Sequence, residues 1–125
     1  MAYLIVFFGG GIGAALRHGV NVVVARLLGL GFPYGTLTVN IVGSLIMGLL
    51  VGYFAFKGEA SQHWRLFLTT GVLGGFTTFS AFSLDAMLLW ERNQIAMFSV
   101  YVALSVVASF VALSAGMLAM RSITP

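Results

Sequence analysis

Residues Gly74-Gly-Phe-Thr-Thr-Phe-Ser-Ala-Phe-Ser83 place two glycines, four hydroxyls and three phenyl rings inside a long apolar run. Phe76, Phe79 and Phe82 recur every third position, and Thr77, Ser80 and Ser83 follow each by one residue. Hydroxyls are donors and acceptors without formal charge. A phenyl ring has a negative face and a positive edge, so edges turned inward favour an anion that has lost water. Unwound backbone at the glycines would offer carbonyls to a small hard cation and N–H groups to an anion. Plain core packing is the favoured explanation of three rings at helical spacing taken by themselves.

Further polar residues lie in other apolar runs. Asn40 offers an amide with two N–H donors and one acceptor; it reads equally as interhelical glue or as a ligand. Thr36 and Thr38 lie one turn away or less. Tyr101, Ser105 and Ser109 are spaced by four and so share one helical face. Arg17 is the costliest group, either paired or setting a positive potential beside water. Asp85 is the one carboxylate within an apolar run and could pair with a cation or a hydroxyl. The other carboxylates, Glu59 and Glu91, are scattered, and His18 and His63 lack metal-ligand spacing. No nucleophile, base and oxyanion-donor set can be assembled, so no enzyme is expected. With no cysteine there is no thiol chemistry.

The elements that hold these groups follow from composition. Hydrophobic residues make up 60% of the chain and charged residues 7%, against roughly 25% charged in a soluble domain. Net charge is +3 without a basic run, so nucleic-acid binding has no support. A bilayer core needs about 20 helical residues, and four segments qualify: 2–25, 34–56, 65–90 and 95–120. Pro33 opens the second, a polar loop from Lys57 to His63 precedes the third, and Glu91-Arg-Asn-Gln94 makes a tight turn. Trp64 and Trp90 mark the ends of the third, where interfacial indoles belong. Continuous apolarity excludes a β-barrel. The expected fold is an all-α membrane protein, one four-helix domain over residues 1–125. The apolar start is read as a retained span rather than a signal peptide, because it lacks a basic leading region.

The third segment, 26 residues, would be about 39 Å long if straight. That exceeds the hydrocarbon thickness, so a tilt or a break is expected, with Gly71, Gly74 and Gly75 as the weak point. Gly9 with Gly13, and Gly48 with Gly52, are four apart, the spacing that lets helices approach closely in lipid. The run Gly9-Gly-Gly-Ile-Gly13 lacks the strand a nucleotide-binding turn requires. Lys57, Arg65 and Arg121 fall on one face; Arg26 and Arg92, with Arg17 leaning the same way, fall on the other. So weak a bias favours insertion in both orientations, which permits an antiparallel homodimer.

The segments Gly74-Gly-Phe-Thr-Thr-Phe-Ser-Ala-Phe-Ser83 and Gly35-Thr-Leu-Thr-Val-Asn-Ile-Val-Gly43 together resemble the bacterial fluoride channels of the Fluc (CrcB) family. The resemblance covers essentially the whole chain. It implies an antiparallel, dual-topology homodimer in the bacterial inner membrane, with the third helix broken mid-membrane and two pores lined by both copies. It implies passive export of cytoplasmic fluoride, and a structural Na⁺ at the dimer centre held by carbonyls matching Gly74 and Thr77. Phe79 and Phe82 match the family's pore phenylalanines, Asn40 its pore asparagine, and Tyr101, Ser105 and Ser109 its polar track. Ser80, Thr36 and Arg17 match polar or basic positions along or near the pathway. Asp85 stands where the family usually has Glu, so contacts relying on the longer reach are open. The competing reading is a small dual-topology multidrug or cation exporter. Such exporters need a carboxylate in the first span, and this one has none.

Overall fold

The computed structural model describes residues 1–57 and 61–123; Glu59 of the second loop lies outside them. Helix α1 runs Ala2–Leu28 and α2 Tyr34–Lys57. The third span has two parts. Helix α3 covers 62–76: a first turn Gln62–Arg65, eight residues of wide π-type turns Leu66–Leu73, and Gly74–Phe76. Helix α4 is Phe79–Glu91, and α5 is Ile95–Ile123. All four spans are long and apolar enough to cross a membrane. Helix α1 outruns its expected end at Ala25 because nothing stops it before Gly29, whose φ of 79° suits glycine alone at low cost.

The interruption of the third span is displaced from the expected glycines. Gly74 and Gly75 stay helical, and the chain turns extended at Thr77 (φ −88°, ψ 159°) and Thr78 (φ −154°, ψ 125°). β-Branched threonines tolerate extended backbone well. The glycines serve packing instead: a methyl on Gly9 would lie 2.9 Å from Gly71 Cα, and one on Gly75 would run into the Gly10 carbonyl. Helix α1 therefore lies backbone to backbone against α3. Helix α2 packs in the same way on α5, where a methyl on Gly116 would sit 2.5 Å from the Leu45 carbonyl. Lipid supplies no hydrophobic drive between helices, so this close approach is the main source of cohesion.

Two small clusters are buried within the bundle. Val39, Leu73 and Phe76 form one; Leu37, Ala86, Leu89 and Tyr101 form the other, with Phe32, Phe82 and Phe98 against it. The break splits the three-residue phenylalanine repeat between them. Phe76 turns into the first cluster, whereas Phe82 packs on the second and Phe79 is 78% exposed.

Candidate functional site

The break is held open by a side chain 38 positions earlier. Asn40 Nδ2 donates to the Thr78 carbonyl at 2.9 Å, and the Thr78 N–H donates to Asn40 Oδ1 at 2.8 Å. One amide thus satisfies both backbone groups of the extended residue, as a neighbouring strand would. The Thr78 hydroxyl caps α4, accepting from Ala81 N–H at 3.1 Å. It also shares a 3.2 Å hydrogen bond with Ser80. In a continuous helix the Thr78 N–H would bond the Gly74 carbonyl, and the Ala81 N–H the Thr77 carbonyl. Both donors are diverted, so these two carbonyls lose their ordinary partners. Two released carbonyls beside one helix break suit a small hard cation.

Beside the break lies an open groove of about 330 Å³ between α2, α4 and α5. Asn40, Phe79, Phe82, Ser105 and Ser109 all line it, with Thr77 and Thr78 at the break itself. The Phe79 and Phe82 rings stand 5.5 Å apart, tilted 52°. The groove contains no ionised side chain. Of its hydroxyls, Thr77 bonds its own Leu73 carbonyl at 2.9 Å, the ordinary habit of hydroxyls in membrane helices; Ser83, outside the groove, does the same with Phe79. Ser105 Oγ is buried and has no hydrogen-bond partner, although such a group costs roughly 1–3 kcal/mol unless something satisfies it. Asn40 also retains one N–H, since its bond to Thr78 takes only one of two.

The remaining polar residues sit farther along. Tyr101 is fully buried and its hydroxyl donates to Asp85 Oδ2 at 3.2 Å. The shorter carboxylate therefore still reaches a partner, and that partner is a hydroxyl. The Tyr101 ring lies 5.2 Å from Phe82 and 5.6 Å from Phe32, continuing an aromatic file from the groove toward the first loop. At that end a second cavity of about 280 Å³ is lined by Thr36, Asp85, Asn21 and Arg92, among others. Thr36 thus belongs to this mouth, whereas Ser80 is exposed and lines neither cavity. Arg17 also lines neither; its Nε is buried without a partner, and among the described residues it makes no ion pair.

Sequence reasoning passed over Thr78, Ser44, Asn21 and Arg92. The position of Ser44 one turn after Asn40 was a readable signal that both face the groove. Asn21 showed the same signal as Asn40, an amide in an apolar run, but its approach to Gly35 joins two helices and exists only once they pack.

Four apolar spans, one of them interrupted, make this a multi-pass membrane protein with an uncharged, mostly apolar groove along its broken helix that carries one amide and several hydroxyls. The profile of the CrcB-like protein family, Camphor Resistance (CrcB), matches residues 4–117, and the chain belongs to that family. It is 57% identical to a "Fluoride-specific ion channel FluC" of Rhodopseudomonas palustris (strain BisB5), over 99% of this chain and 100% of the other. It is 55% identical to "Fluoride-specific ion channel FluC 2" of Nitrobacter hamburgensis, with the same coverage. A protein of the former name from Hyphomonas neptunium is 52% identical over 97% of this chain and 96% of its own length.

Proposed function

We propose that this protein is a fluoride-selective channel. It lets cytoplasmic fluoride leave a bacterial cell passively through the inner membrane and so lowers fluoride toxicity. The observation that carries the reading is the groove: an amide N–H, an unpartnered buried hydroxyl and two phenyl rings gathered at a helix break with no ionised group among them. Fluoride is small and strongly hydrated, so a narrow path must replace its water. The Asn40 N–H, the Ser105 and Ser109 hydroxyls and the ring edges of Phe79 and Phe82 donate in sequence. Neutral donors hold the ion weakly enough for release, where a fixed positive charge would trap it. Arg17, with Thr36, Ser80 and Tyr101 along or near the path, biases the approaches toward anions.

In this reading two copies assemble antiparallel and cover each other's grooves, giving two pores lined by both. The exposed Phe79 and the 72% exposed Phe110 at the groove supply uncovered apolar surface for that contact. Na⁺ at the dimer centre is held by the Gly74 and Thr77 carbonyls. Their lost helical partners leave oxygen lone pairs of the kind a hard cation takes. A cation bound there would offset the dipoles of these carbonyls.

The exporter alternative differs in its coupling. Liposomes containing the protein, loaded with fluoride and treated with a protonophore, are expected to release fluoride at an undiminished rate. Transport of an organic cation that stops when the proton gradient collapses would favour the exporter.

A further inference from the structure

The Asn40 amide touches two sites at once. Its two bonds to Thr78 set the backbone diversion that releases the Gly74 and Thr77 carbonyls. Its remaining N–H belongs to a residue that lines the groove with Phe79, Phe82 and Ser105. We propose that Asn40 is a positioning residue as well as a groove donor: it latches the helix break, so that cation affinity at the carbonyl pair depends on the same side chain that serves the anion path.

The physical chain is short. Without the Asn40 acceptor, the Thr78 N–H has the Gly74 carbonyl as its natural partner, and the helix closes one bond further. Without the Asn40 donor, the Thr78 carbonyl lies between spans with nothing to bond, a costly state in hydrocarbon. Closing the break also moves α4, and with it Phe79 and Phe82. Any ligand drawing on the free Asn40 N–H therefore acts on the latch, and linkage makes that influence reciprocal between anion and cation. Two observations set Asn40 apart from the other groove polar groups. Thr77 bonds within its own helix, and Ser105 has no protein partner at all. Only Asn40, among the described residues, joins the groove to the backbone of the break by hydrogen bonds from another span.

This inference rests on the cation reading above, so its test separates the two. The purified protein in detergent is melted in sodium chloride and in N-methylglucamine chloride. The wild type is expected to melt higher in sodium. Asn40→Leu, which keeps size and loses both bonds, is expected to lose that difference. Ser44→Ala, which alters the same groove without touching the break, is expected to keep it. An Asn40→Leu protein that retains the full sodium shift overturns the latch. Hydrogen exchange at the Thr78 amide of the wild type needs neither sodium nor a variant. Slow exchange, although the residue lies outside any helix, supports the latch, and exchange as fast as an unbonded amide overturns it. A wild type indifferent to sodium, with a slow Thr78 amide, sinks the cation site and leaves the latch standing.

Discussion

Ser105, Tyr101 and Phe79 separate stability from conduction. Ser105 carries a buried hydroxyl with no protein partner, so Ser105→Ala removes a burden and is expected to leave unfolding unchanged or raise it by up to about 1 kcal/mol. Fluoride flux through the same variant should fall about tenfold, the rate equivalent of ~1.4 kcal/mol. Parallel melting and efflux assays check the split. Tyr101→Phe has the opposite signature. It leaves Asp85 Oδ2 without its 3.2 Å donor, and melting should report a loss of roughly 1–3 kcal/mol. Phe79→Ile keeps bulk and deletes the aromatic edge. An assembled variant should conduct fluoride at least about tenfold more slowly, and unchanged efflux would remove ring edges from the pathway. At this scale the residue types were legible and their partners were not. Asn40 announces itself as an amide in an apolar run, but its bond to Thr78 crosses 38 residues and exists only once α2 and α4 are packed. Ser83 and Ser105 look alike in sequence; packing alone decides that one bonds its own helix and the other nothing.

Between residues and molecule, the instructive case is the third span. Its excess length made an interruption readable, and glycine looked like its cause. The chain instead breaks at Thr77 and Thr78, because Gly71 and Gly75 hold α3 against Gly9 and Gly10 of α1 and a packed helix has no reason to unwind there. A local propensity was outvoted by a tertiary contact. The wide turns Leu66–Leu73 left no sequence signal, since their composition is that of any apolar helix. By contrast the small-residue pairs of α1 and α2 were read correctly, because four-residue spacing maps directly onto one helix face. If close approach is the cohesive force, Gly71→Ala sets a methyl 3.0 Å from Gly9 Cα. It should destabilise by about 1–3 kcal/mol as overpacking. Gly11→Ala, whose added methyl meets nothing within 4 Å, should stay within about 0.5 kcal/mol. Detergent melting of both variants makes the comparison.

For the whole molecule, span number and membrane character were legible from hydropathy and charge alone, since 9 charged residues cannot clothe a water-facing surface of this size. Assembly was legible only as a permissive charge balance. A groove open on one side, rimmed by exposed Phe79 and Phe110, is what a second copy would complete. Topology reporters fused to the carboxyl terminus should accordingly register both sides of the membrane. The central claim is that neutral dipoles along a broken helix pass a small dehydrated halide and reject a larger one. Its most direct measurement is anion release from reconstituted liposomes under a potassium–valinomycin clamp, with fluoride and chloride followed by separate electrodes. The account requires rapid fluoride loss while chloride stays inside; chloride leaving at a comparable rate, or fluoride retained as in protein-free vesicles, would contradict it.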